Sequence, residues 1–140
     1  MIRCVRLWSG VDGNSHFEEG VIDLGPRGDT LSGKFPIASV SFQETNKDPK
    51  LGWHPDPARQ LVITLSGTLE FTTNDGRFSL RAGDILFTDD TVAGHDWTLL
   101  GDQPWRRLYA ILDEVTVVPF RPTKPRAAIA GDSRKQEQQA

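Results

Sequence analysis

His54, Asp56, Gln60 and His95 are the residues whose types and spacing best suit chemistry in this chain. A histidine offers a neutral ring nitrogen, an aspartate a carboxylate oxygen, and a glutamine an amide oxygen that is a poorer but usable ligand. His54, Asp56 and Gln60 are separated by even numbers of residues, so an extended chain turns all three to one face. His54 and Asp56 each precede a proline, which disfavours helix and keeps the stretch extended. With His95, the set would supply two imidazoles and one carboxylate, the arrangement that binds Fe(II) and leaves positions open. Each residue also has a plainer role open to it. Asp56 between Pro55 and Pro57 suits a solvent-facing turn, Gln60 could satisfy buried backbone groups, and His95 after Gly94 could be an exposed loop residue. Aromatic and cationic neighbours suggest a ligand pocket. Trp53 and Trp97 could wall it, and Arg59 with Arg106 or Arg107 could clamp a carboxylate or phosphate. Strand alternation allows only one of Arg106 and Arg107 to face inward.

Positioning such residues is a task for strands. Apolar residues in the centre of the chain recur with a period of two rather than 3.6. Strands are predicted over Ile2–Trp8, Ala38–Glu44, Gln60–Ser66, Thr68–Thr73, Arg77–Arg81, Ile85–Thr88, Asp96–Leu100, Arg106–Leu112 and Glu114–Val118. Asn74-Asp75-Gly76 and Ala82-Gly83-Asp84 supply the turns. Leu61 to Leu65 is apolar at both parities, as a strand buried on both faces requires. Helical signals are thin. Ser15 and Glu18 have capping-box spacing, but Gly20 allows about one turn, and a polar loop is the alternative. The chain is therefore expected to be all-β, one sandwich or barrel domain over 1–118. Pro119, Pro122 and Pro125 then introduce an extended arm and a polar tail over 119–140.

The stretch Trp53-His54-Pro55-Asp56-Pro57-Ala58-Arg59-Gln60, with Gly67 seven residues on, resembles the first cupin motif. That motif has two histidines one residue apart, then a glutamate, then a glycine. His54 and Asp56 stand at the histidine positions, Gln60 at the glutamate and Gly67 at the glycine. Gly83 matches the start of the second motif, and His95, twelve residues later, matches its histidine with a one-residue insertion. Asp89 and Thr91 stand where the family usually has Pro and Gly. The stretch Gly13 to Gly20 and Pro104-Trp105-Arg106-Arg107 are also similar to a group of small bacterial cupins. The resemblance covers roughly residues 35–118 and implies a cupin-type double-stranded β-helix, the RmlC-like jelly-roll barrel. It further implies a divalent metal (Fe, Mn, Ni or Zn) held by His54, Gln60 and His95, with Asp56 as fourth ligand or general base. Two of the four ligand positions are altered, and Gln60 lacks the charge of a glutamate.

Three function classes follow. The first is a metal-dependent small-molecule enzyme of dioxygenase, isomerase or lyase type, in which Asp56 and Gln60 are the catalytic candidates. Its substrate would be oxygen-rich or carboxylated, with Trp53, Arg59, Trp97 and Arg106 lining the pocket. The second is a non-catalytic cupin that binds a small ligand without metal. The third is a scaffold whose outer strand faces build a homodimer, although a homodimer is compatible with all three. Other chemistry is poorly served. Cys4 is the single cysteine, so neither a disulfide framework nor a multi-cysteine zinc site is available. Ser66-Gly67 lacks the residues of a nucleophile elbow, and no phosphate-cradling glycine loop occurs. Asp89-Asp90 could act as acid and base or cap a turn. A net charge of −3 argues against a nucleic-acid partner. Membrane association is not expected, because no apolar run approaches the length of a span. The first ten residues, with Arg3, Arg6 and Trp8, do not form a secretory signal, so a cytoplasmic location is expected.

Overall fold

A computed structural model describes residues 1–25 and 31–124. Its elements are ten strands: β1 (Arg3–Ser9), β2 (Ser15–Ile22), β3 (Ser39–Thr45), β4 (Gln60–Ser66), β5 (Thr68–Thr73), β6 (Gly76–Arg81), β7 (Ile85–Asp89), β8 (Asp96–Leu100), β9 (Trp105–Ile111) and β10 (Phe120–Pro122). They form a seven-stranded sheet ordered β10-β2-β1-β7-β4-β9-β3 and a three-stranded sheet ordered β6-β5-β8. β1 and β7 pair in parallel, and every other pairing is antiparallel. The fold is all-β, as the period-two pattern predicts, and a jelly roll, as the cupin resemblance implies. No helix among the described residues is long and apolar enough to cross a membrane.

Alternation explains how the two sheets meet. On β5, Leu69, Phe71 and Thr73 are buried while their neighbours are partly exposed. Leu69 and Phe71 pack with Val62, Leu86, Trp97 and Trp105 in a core between the sheets. The opposite face of the large sheet carries a second cluster, which includes Cys4, Leu61, Phe87, Ala110 and Leu112. Leu61 and Val62 thus serve different cores from adjacent positions, which is why β4 is apolar at both parities. Burial of that kind contributes about 1.5–3 kcal/mol per large apolar side chain. Cys4 is fully buried, and desolvation pushes its thiol up to about 12, so it offers no nucleophile.

Three expectations need correction. Ser15 to Gly20 is neither a helical turn nor a loop but most of β2, paired with all of β1. The apolar signal was missing because His16 and Glu18 occupy buried positions on that strand. Glu114–Val118 is not a strand, although Val118 is buried in the second cluster. The segment after Pro119 does not leave the domain at once. Phe120–Pro122 adds β10 to the edge of β2, and only 125–140 of the expected tail lies outside the described residues.

Candidate functional site

The stretch before β4 is fastened beside the loop between β7 and β8. His54 and His95 form an isolated antiparallel bridge, with His54 N donating to His95 O at 2.8 Å and His95 N to His54 O at 3.0 Å. Two residues on, Asp56 N donates to the Asp90 carbonyl at 2.9 Å. Pro55 and Pro57 keep this stretch extended, so His54 and Asp56 present side chains to the same side, as their even spacing predicts. Gln60 opens β4 opposite Thr88 of β7 and is buried. Gly94 makes the close approach possible. Its φ is +87°, and an added Cβ would lie 2.8 Å from Trp53 Nε1 and 3.0 Å from the His54 carbonyl carbon.

These residues converge on one end of a cavity of about 320 Å³ between the sheets. His54, Asp56, Gln60 and His95 supply its polar end. Phe71, Trp97, Trp105 and Tyr109 supply aromatic walls, and Ser41 and Gln43 reach it from β3.

The protonation pattern follows from the partners. Asp90, buried, accepts from Ser9 Oγ at 2.5 Å and Gly94 N at 3.0 Å, and its Oδ2 lies 2.8 Å from His95 Nδ1. Burial opposes its ionisation, but the hydrogen bonds from His95, Ser9 and Gly94 outweigh it and hold the carboxyl below its usual range. An ionised Asp90 only accepts, so His95 Nδ1 carries the proton and its Nε2 is bare in the neutral ring. That Nε2 lies 3.5 Å from Asp56 Oδ1. His54 is set the same way: its Nδ1 donates to the Gly52 carbonyl at 2.8 Å, leaving Nε2 bare. Asp56 behaves in the opposite sense to Asp90. Desolvation raises its carboxyl to about 6, against the lowering pull of His95 and the hydrogen bond from Thr88 Oγ1 to Oδ2.

Bare Nε2 atoms held by Nδ1 hydrogen bonds meet one requirement of metal ligation. The rest of the donor set falls short. Among the described residues no three His, Cys, Asp or Glu side chains are grouped so as to hold a metal ion. The glutamate expected of the first motif is the neutral Gln60. The structure offers a facing His95–Asp56 pair rather than a three-ligand centre.

The arginine clamp is not assembled. Arg59 turns into the other side of the sheet, where its Nη1 donates to the carbonyls of Asp113 and Thr116 at 2.8 and 2.7 Å. Arg106 is exposed and pairs with Glu44 at 2.7 Å. Arg107 is the inward one of the two, but its guanidinium stacks 3.7 Å above the Trp105 ring and donates to Thr45 Oγ1 at 2.7 Å. Trp53 is also outside the cavity lining, half exposed, with its indole N–H donating to Ala93 O at 2.9 Å. Trp97 does line the cavity. Phe71, Trp105 and Tyr109 were not singled out from sequence as site residues, whereas Asp90 was weighed with Asp89 as an acid–base group or a turn cap and lies on His95. Phase could have found Phe71, because it shares the inward parity of Leu69 on a strand predicted with the right bounds.

A family model for the cupin domain matches residues 41–111, and the chain belongs to the cupin family. No curated protein matches the sequence. The match spans every site residue named above except Ser9, and the family establishes the fold without assigning a reaction.

Proposed function

We propose that this protein is a small-molecule enzyme of proton-transfer type, an isomerase or lyase, whose acid–base pair is Asp56 and His95. The observation that carries the reading is the line of groups Asp90–His95–Asp56. Asp90 Oδ2 lies 2.8 Å from Nδ1 of the imidazole, and Nε2 faces Asp56 Oδ1 at 3.5 Å. Asp90 is a positioning residue: it fixes the tautomer and stabilises the imidazolium when His95 takes a proton. A carboxyl near 6 is divided between acid and base forms close to neutrality, which is where a proton-transfer group works best. Gln60 and His54 line the same cavity, and in this reading they hold a substrate oxygen.

Deuterium uptake at the α-carbon of simple enolisable ketones and aldehydes in heavy water tests the reading. Exchange in the native protein is expected to fall about 10²–10⁴-fold in Asp56→Asn and in His95→Ala. Asp90→Asn is expected to slow exchange and to shift the ¹⁵N resonances of His95, reporting the other tautomer. Exchange that persists in both variants would remove Asp56 and His95 from the chemistry. Binding without exchange would favour a ligand-binding cupin. Near-stoichiometric metal in the native protein, lost in both His54→Ala and His95→Ala, would replace this proposal with a metal-dependent enzyme.

A further inference from the structure

The charges around the cavity are unevenly spent. No Lys or Arg is among the described residues that line it. The three arginines whose positions in sequence suggested an anion clamp are all committed elsewhere. Arg59 holds two backbone carbonyls behind the sheet, Arg106 pairs with Glu44 on the outer face, and Arg107 stacks on Trp105. Arg107 borders a separate surface groove with Phe42 and Leu65, and it meets the cavity wall from behind, stacked on Trp105 and donating to Tyr109 Oη at 3.1 Å. The formally charged carboxylate at the polar end is Asp56, whose side chain is only 8% exposed. A carboxylate or phosphate placed there would meet a like charge, with no Lys or Arg on the lining to pair with it.

The walls point the same way. Trp97 and Trp105 meet edge to face at 4.7 Å between centroids, and Phe71 sets its ring at 85° to Trp105. The indole N–H of Trp105 is turned to Thr64 Oγ1 at 3.3 Å, which leaves the ring apolar toward the cavity. Phe71 also lies 5.7 Å from the His95 ring, so the aromatic wall runs up to the acid–base pair. A flat ring fits such a surface, and a ring substituent then reaches the polar end.

We infer that the ligand of this cavity is a ring compound that bears a hydroxyl or carbonyl oxygen and no negative charge, and not the carboxylated or phosphorylated compound that an arginine clamp would select. The ring lies against Phe71, Trp97 and Trp105, and the oxygen meets His54, Gln60 and the Asp56–His95 pair. The placement of that oxygen rests on the acid–base reading, whereas the exclusion of anions rests on where the arginines lie.

Titration of the ¹⁵N-labelled full chain with p-cresol, benzoate and benzylammonium at about pH 8, where Asp56 is ionised, tests the inference. The indole N–H resonances of Trp97 and Trp105 are the readout. p-Cresol is expected to shift both, and benzoate to bind about tenfold more weakly or worse, whereas benzylammonium, drawn to the Asp56 carboxylate, is expected to bind more tightly than benzoate. Asp56→Asn is expected to narrow the gap between p-cresol and benzoate. Benzoate binding as tightly as p-cresol or more tightly than benzylammonium, an unchanged gap in Asp56→Asn, or no shift with p-cresol to its solubility limit would each overturn the inference. The two proposals fail separately. Exchange that depends on Asp56 and His95, in a protein that prefers benzoate, would overturn this inference alone. A preference for p-cresol in a protein that exchanges no deuterium would leave it standing and remove the catalytic reading.

Discussion

Asp56 and Asp90 are two carboxylates in one site with opposite settings, and the difference lies in what each accepts. Asp90 is offered a backbone N–H, a hydroxyl and an imidazole N–H, which together stabilise its anion. Asp56 is offered Thr88 on one oxygen and faces His95 Nε2 across a longer 3.5 Å on the other. Desolvation therefore prevails at Asp56, and its carboxyl in the folded chain is raised from 3.8 to about 6. Between those values the folded state binds more protons than the unfolded state. The stability Asp56 contributes is thus fully present below the lower value and is lost as pH rises through the upper one. Asp56→Asn, which carries no charge at either pH, is expected to raise unfolding free energy by about 1–3 kcal/mol at pH 8 and by much less at pH 4. Urea midpoints of the two proteins at both pH values check this. A gain of equal size at both would mean that Asp56 is not held at a raised value.

At the scale of elements, the site depends on a crossing of two connections rather than on any one strand. The extended stretch 54–56 is tied to 90–95 by backbone hydrogen bonds at His54, His95 and Asp56. Gly94 permits that approach, since its positive φ and the 2.8 Å clearance to Trp53 Nε1 exclude a side chain. Gly94→Ala is expected to cost about 1–3 kcal/mol from backbone strain and the displaced neighbour. Its effect on exchange should exceed that of an equally destabilising substitution in the second core, because it separates His54 from His95. Thermal melting and the exchange rate, measured together, decide this. An exchange rate unchanged in a folded Gly94→Ala protein would show that the bridge does not position the site. Strands β4, β5 and β8 were legible to the residue from alternation and turn residues, and β2 was not, because its buried face carries His16 and Glu18. Periodicity reads burial through apolarity, so a strand that buries polar groups is invisible to it.

For the molecule as a whole, one edge of the large sheet is unusual. β3 ends the strand order, and its residues Ser39 to Glu44 are all exposed, with Phe42 at 70%. Its inward side nonetheless supplies Ser41 and Gln43 to the cavity. An exposed edge strand with apolar Val40 and Phe42 invites pairing with another chain, and this is where the expected homodimer would form. Sedimentation of the native protein at about 10–100 µM is expected to give a dimer, and Phe42→Lys a monomer of unchanged melting temperature. A monomeric native protein at those concentrations would remove the homodimer and leave β3 an open rim.

Sequence alone determined the all-β class, nearly all of the strands, and the shared face of His54, Asp56 and Gln60, because each of these depends on local spacing along an extended chain. It also carried the cupin resemblance, since Gly67, Gly83, His54 and His95 keep near-family spacing. Tertiary structure decided the rest. Whether Asp56 faces water or a buried imidazole, whether Arg59 enters the cavity or turns behind the sheet, and which carboxylate orients His95 all depend on groups distant in sequence. Ser9 and Asp90 are 81 residues apart, and Thr88 and Asp56 are 32 apart. The charge state of a buried group is set by the partners packing brings within about 4 Å, and only the folded chain specifies those partners.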